Sequence, residues 1–206
     1  MPALRIGCLA WGSLLWDSRT LPMSGAFRLD GPRLPIEFSR VAVDGRVTLV
    51  IDPTAELVQA HWVRLAVTSL EEAIRGLGLR EKIAAEKWPC WIGVQFASGR
   101  RIETGDIDES VRKTIVDWLG AGDDEKQSTR GLDAVVWTAL PSRSPDGGPM
   151  RPDYETLLVH LRSLEGEAQR RAEEYIRRAP RSIRTAFRAR FEADLGWVPT
   201  VSEEGC

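Results

Sequence analysis

The sequence predicts an α+β protein, a small curved or closed mixed sheet or barrel flanked by helices. Three observations predict it. Short β-rich runs bounded by turn residues recur through residues 4–140, stretches of helical period interrupt them, and helical spacing takes over beyond Asp153. With 43% apolar residues in 206, the chain can bury a core without disulfides or metal.

Residues 4–10 are rich in apolar types and end at Trp11-Gly12-Ser13, which reads as a buried first strand opening into a loop. A second strand spans Ile36 to Val43. Asp44-Gly45 then links it to a partner, Arg46 to Ile51, because a primed turn needs positive φ at both central positions. His61 to Val67 gives another strand. In Ser69-Leu-Glu-Glu72 the serine caps a helix and Glu72 reaches back to complete a capping box. Gly76 and Gly78 weaken that helix by about 1 kcal/mol each, so a bend or break is expected before Leu79-Arg80-Glu81 resumes, with Glu81 near a new helix start.

Trp91 to Ala97 reads as a strand closed by a Ser98-Gly99 turn. Ile107, Val111, Ile115, Trp118 and Leu119 keep helical spacing up to Gly120 and Gly122, and Leu132 to Leu140 is the last strong strand. The Pro/Gly/Ser-rich segment 141–152 is the one credible internal boundary. It separates a domain at 1–140 from a helical extension at 153–206 that is expected to pack on the same domain. The stripe of that extension runs from Leu157 to Ile176, stops at Pro180, and gives way to a shorter helix, Ser182 to Leu195, ended by Gly196.

Charge and motif content exclude several function classes. A net charge of −2 supplies no field that draws the chain onto nucleic acid or anionic lipid, and the apolar run at the start is too brief for a membrane span. Three cysteines at wide spacing suit free thiols in a reducing compartment, so a cytoplasmic location is expected; Cys8 and Cys90, on apolar runs, read as inert core thiols. His61 and His160 lie far apart in sequence, and no Cys-x-x-Cys or His-Glu-x-x-His spacing occurs, which argues against a metal. No Walker loop and no Gly-x-Gly-x-x-Gly is present, so no cofactor is expected. Ser13 lacks the second glycine of a nucleophile elbow. Eight tryptophans, four of them in the pairs Trp11/Trp16 and Trp88/Trp91, fit either ordinary packing or an aromatic-walled pocket. Arginines crowd Arg162 to Arg190, and the interleaved Glu165, Glu167, Glu173 and Glu174 favour spaced ion pairs on a solvated face over an anion-facing surface.

Position makes the Gly12-Ser13 step the most informative motif. Directly after a buried strand, consecutive amides can turn toward one point and accept a carboxylate or a developing oxyanion, although an ordinary turn has the same sequence. Glu37, Glu81 and Glu86 are carboxylates of the 1–140 domain, and from its neighbours Glu81 reads as a solvated helix glutamate paired with Arg80 or Lys82.

Ala10-Trp11-Gly12-Ser13-Leu14-Leu15-Trp16 resembles the Tyr-Gly-Ser-Leu-x-Trp opening of the γ-glutamylcyclotransferase-like superfamily, especially its ChaC-type branch. Phe38-Ser39-Arg40, the hairpin, and the helix leading to Arg80-Glu81 are similar to that branch's strand, variable hairpin and Arg-Glu element, in the same order. The likeness covers residues 4 to about 140. Trp11 stands where the family has tyrosine, and Lys82-Ile83 stands where a Gly-Tyr-like continuation is common. The resemblance implies a metal-free, cofactor-independent cyclotransferase that releases 5-oxoproline from a small γ-glutamyl substrate. It makes Glu81 the acid/base residue and Trp11, Gly12, Ser13, Leu14, Ser39 and Arg40 the substrate-binding set. The alternatives are a non-catalytic small-acid-binding or interaction protein on the same scaffold, or an enzyme acting on a different amide.

Overall fold

A computed structural model describes residues 3–100, 107–120 and 131–200. Eight strands and six helices stand among them, arranged as α+β in two sheets that do not close into a barrel. The chain condenses into two compact units that interleave in sequence. Unit 1 comprises residues 1–10, 17–34 and 59–140, and unit 2 comprises residues 11–16, 35–58 and 141–206. One crossing falls between Leu140 and Pro141, at the start of the Pro/Gly/Ser-rich segment.

Unit 1 is built on a five-stranded sheet containing β1 (Ile6–Ala10), β2 (Met23–Arg28), β6 (His61–Leu65), β7 (Ile92–Phe96) and β8 (Ala134–Thr138), in the order β2-β6-β1-β8-β7. The central strand β1 runs antiparallel to β6 and parallel to β8, and all five of its residues are buried. A strand covered on both faces must read as a continuous apolar run, and Ile-Gly-Cys-Leu-Ala does. Helices cover it. The first helix, α1 (Leu70–Arg80), packs on β7 and β8, and α3 (Glu109–Gly120) packs on β7. Arg112 of α3 donates to Gln95 Oε1 at 3.1 Å, and Trp118 meets Trp62 edge-on with ring centroids 5.7 Å apart. Most of the tryptophans are therefore packing elements: Trp11, Trp62, Trp118, Trp137 and Trp197 are all buried.

Unit 2 holds the three-stranded sheet β4-β3-β5, formed by β3 (Arg33–Val41), β4 (Val47–Ile51) and β5 (Leu57–Gln59). A hairpin forms at Asp44-Gly45, but not through the two-residue primed turn expected: only Gly45 has positive φ, at +85°, its N–H donates to Ala42 O at 3.0 Å, and Val41 stands opposite Val47. A register shift between Phe38 and Arg40 bends β3. The helices of this unit are α4 (Tyr154–Ser163), α5 (Gly166–Arg178) and α6 (Ala186–Leu195); a four-residue helix in unit 1, α2 (Trp88–Trp91), completes the set. Leu164 and Glu165, followed by Gly166 at φ +57°, split the long expected stripe into α4 and α5. Gly196 ends α6 in the left-handed conformation, as a C-terminal glycine should.

Several expectations are corrected. The first helix is not broken at Gly76 and Gly78; it runs unbroken from Leu70 to Arg80, capped by Ser69 as predicted. Those glycines serve close approach, since a Cβ at position 76 would press on Pro22 and one at 78 would enter the Trp88 ring. Glu81 accordingly closes a helix and does not open one. Cys8 is buried, but Cys90 is exposed. The expected stop at Gly122 lies outside the described residues, as does Cys206.

Gly93 lies opposite Trp137 in the β7/β8 ladder, and the indole ring occupies the space a side chain would need. Trp137 is fully buried, and its Nε1 has no hydrogen-bond partner among the described residues. Gly93→Ala should therefore cost about 1–3 kcal/mol in urea unfolding by overpacking. Gly120→Ala, in open space at the end of α3, should cost nothing or add up to about 1 kcal/mol.

Candidate functional site

Glu81 belongs to unit 1 and the other six predicted site residues belong to unit 2. In unit 1, α1 ends in a Schellman motif: Lys82 N–H donates to Leu79 O at 3.2 Å and Ile83 N–H to Gly78 O at 2.9 Å. Glu81 is the C-cap, and Lys82 follows in the left-handed region at φ +56°. A lysine there bears a strain that glycine escapes, which gives the Lys82 departure a backbone meaning. Trp88 Nε1 fastens the turn by donating to Ile83 O at 2.9 Å.

Arg80 fixes the glutamate. Its guanidinium is almost wholly buried, donating Nε to Asp17 O at 3.0 Å, Nη2 to the same carbonyl, and Nη1 to Glu81 Oε1 at 2.6 Å. Two of its three anchors are neutral carbonyl bonds, so the cation stays in place independently of Glu81. The Glu81 side chain is 19% exposed, and the pair leaves Oε2 without a hydrogen bond among the described residues. The same pair acts on β1. Burial pushes the Cys8 thiol far above its usual range, the negative charge of Glu81 raises it further, and Arg80 opposes the rise. Cys8 is therefore an inert thiol, as expected.

In unit 2, the loop after β1 forms a 3-10 turn over Ser13–Leu15, closed by Leu15 N–H to Gly12 O at 3.0 Å and Trp16 N–H to Ser13 O at 3.3 Å. The amides of Gly12, Ser13 and Leu14 are thus the leading ones, which a helical turn does not bond internally. Trp11 is buried and donates Nε1 to Leu49 O at 3.3 Å, while Leu49 N–H donates to the Tyr175 hydroxyl at 3.4 Å. Both backbone groups of one β4 residue are therefore used to hold this loop and α5. A Cβ on Gly12 would lie 2.5 Å from the Tyr175 hydroxyl oxygen, so the glycine makes room for a phenol supplied by α5. Tyr175 also meets Trp16 and Phe38 edge-on at 5.4 and 6.3 Å. Sequence reading missed Tyr175; its signal was the i, i+3, i+4 spacing of Ala172, Tyr175 and Ile176.

Ser39 and Arg40 are tied to another segment. Ser39 Oγ lies 3.1 Å from Ser142 Oγ, Arg40 Nη1 donates to Pro141 O at 2.7 Å, and Arg143 N–H donates to Ser39 O at 3.1 Å. Burial lowers the Arg40 pKa, and Arg143 adds to the effect.

The rival carboxylates differ in kind. Glu86 is exposed on a 3-10 turn. Glu37 is only 3% exposed and accepts from Phe38 N–H at 2.8 Å, Phe187 N–H at 3.1 Å and the Thr185 hydroxyl. It caps the start of α6, and its burial keeps it from a substrate. Burial is the main cause raising its pKa, and neighbouring Asp52 raises it further. Asp52 is also buried, yet hydrogen bonds from Arg151 and Thr54 outweigh that burial and hold it below the usual carboxylate range. Glu81 stands between these extremes, fixed in place but accessible.

No helix among the described residues is long and apolar enough to cross a membrane. No protein-family profile, curated protein or solved structure matches the chain.

Lys82→Gly should raise the unfolding free energy by about 1 kcal/mol, read by chemical denaturation, because glycine relieves the left-handed strain. A second outcome concerns pH. A raised native pKa at Glu37 means its contribution is complete below the ordinary glutamate pKa and is lost as pH rises through the native value; Asp52 behaves oppositely, losing its contribution as pH falls through its lowered value. The stability of Glu37→Gln relative to the parent should therefore rise as pH increases above the ordinary glutamate pKa of about 4.3, in parallel denaturation series.

Proposed function

We propose that this chain is a γ-glutamylcyclotransferase-like enzyme of the cytoplasm that needs no metal or cofactor and releases 5-oxoproline from a γ-glutamyl amide or peptide. The observation that carries the reading is Glu81, a fixed carboxylate with one oxygen held by buried Arg80 and the other unengaged among the described residues. The order of the Trp11-Gly12-Ser13-Leu14 loop, the hairpin and the Arg80-Glu81 element supports it, as does the left-handed backbone at Lys82, where the family it resembles commonly has glycine.

The chemistry asks little of the protein. The substrate's own α-amine attacks its γ-carbonyl carbon, a C–N bond forms in the five-membered ring, and the C–N bond to the leaving amine breaks. One proton leaves the attacking nitrogen and one arrives on the departing nitrogen, so a single carboxylate suffices as base and then acid. Glu81 carries that proton in the proposal. The resemblance assigns Trp11, Gly12, Ser13, Leu14, Ser39 and Arg40 to binding the substrate.

The departure at Trp11 favours a second reading. With its indole spent on Leu49 O, residue 11 offers no hydroxyl, and a scaffold of this kind can bind a small acid without turning it over. An enzyme acting on a different amide would use the same groups. Incubation with a panel of γ-glutamyl dipeptides and glutathione, read by mass spectrometry for 5-oxoproline, separates these readings. Turnover supports the cyclotransferase, a thermal shift without product supports the binder, and neither result retires both. Glu81→Gln should abolish product formation while costing about 1 kcal/mol of stability, since the carboxamide oxygen still accepts from Arg80. Undiminished turnover in that variant removes Glu81 from the reaction.

A further inference from the structure

The arginines of α5 and α6 are nearly all matched. Arg170 and Arg171 pair with Glu167, Arg177 with Glu173, Arg178 with Glu174, Arg188 with Glu192 and Arg190 with Glu155. This is the spaced pairing expected of a solvated helical face. Two exceptions stand together in the link between the helices. Arg181 and Arg184 are exposed, and neither meets a carboxylate among the described residues; Arg184 Nε donates only to Arg181 O at 3.3 Å.

Both line one cavity of about 420 Å³, whose wall also includes Thr185, Arg188 and Glu192. Arg188 is the fixed part of that wall. Its guanidinium is 4% exposed and is held by Ala179 O, Pro180 O, Ile183 O and Glu192 at 2.5–3.1 Å, so it cannot swing away. Burial lowers its pKa, and the charges of Arg181 and Arg184 lower it further, which places three cations within mutual reach. Glu192 offsets one of them. The surplus is two positive charges, carried by flexible side chains at the mouth, in a concavity within the usual range for small-molecule sites.

We propose that the Arg181/Arg184 cavity binds a small oxyanion of two or more negative charges, a phosphate or a polycarboxylate. Guanidinium forks match the oxygens of either group in bidentate fashion, and the fixed Arg188 supplies a positive background without having to be ordered on binding. The site lies wholly within unit 2 and is independent of the cyclotransferase reading.

Isothermal titration of the full chain at low ionic strength, with pyrophosphate and citrate as probes and chloride as control, tests this. Saturable binding of either probe is expected, and the tighter one identifies the anion class. Arg181→Ala/Arg184→Ala should weaken it about tenfold or more, Arg181→Lys/Arg184→Lys, which keeps the charge but loses the fork, should weaken it by a smaller factor, and Arg178→Ala, which removes an arginine already paired with Glu174, should change it less than twofold. The proposal fails if neither probe saturates, or if the folded double alanine variant, verified by its circular dichroism, binds as tightly as the parent.

Discussion

The burial of β1 on both faces is the constraint on which unit 1 depends. Five consecutive buried residues need partners on both edges and cover on both faces; β6 and β8 supply the edges, and α1 packs on the neighbouring β8. The parallel pairing of β1 with β8 joins residues more than 120 positions apart, so the sheet's centre closes only after most of the chain has been made. Arg5 secures that closure, donating its amide and guanidinium to Asp133 at 2.7–3.1 Å where the two strands begin. Gly7 follows from the same crowding, because a side chain there would meet Leu132, Val135 and Trp62.

That crowding also sets the chemical character of the Arg80-Glu81 step. A carboxylate at a helix C-terminus is on the unfavourable side of the helix dipole. Arg80 compensates, and it does so from a buried position because Asp17 takes two of its donors. The result is a charge pair whose cation is anchored by the fold and whose anion is anchored by the cation. This hierarchy keeps Glu81 in place, as its proposed acid/base role would need.

How much of this was legible in the sequence depended on whether the cause was local. The 44–45 hairpin, the Ser69 cap and the Gly196 stop are decided by one or two residues, and each forms where those residues predict. Strand β2 was not legible, because Met-Ser-Gly-Ala-Phe-Arg is half exposed, contains a glycine at φ +96° and carries a register shift against β6. Strand β5 is three residues long and has too little pattern to read. The unbroken α1 was misjudged because Gly76 and Gly78 answer to Pro22 and Trp88, and no local pattern announces those neighbours. The candidate site shows the same divide: Glu81 and the 11–14 loop could be picked out as residue types, but the buried support from Arg80 and the phenol of Tyr175 arise from tertiary packing.

Unit 2 uses buried charge differently. Pro180 follows the C-cap of α5, and the Arg188 guanidinium from α6 reaches back to the carbonyls of that cap and of the link beyond it, Ala179 O, Pro180 O and Ile183 O. At the start of α6 the deficit is of donors, and Glu37 from β3 accepts the Phe187 amide. Each charge has the sign its helix end prefers, a cation at a C-terminus and an anion at an N-terminus. Yet burial still dominates both, pushing Glu37 up and Arg188 down, so the helix ends do not fully compensate desolvation. Replacing either by an apolar residue would remove the desolvation cost but also the hydrogen bonds to Phe187 N–H or to Ala179 O and Ile183 O. Both charges serve the backbone they bond, and both are far less exposed than Glu81.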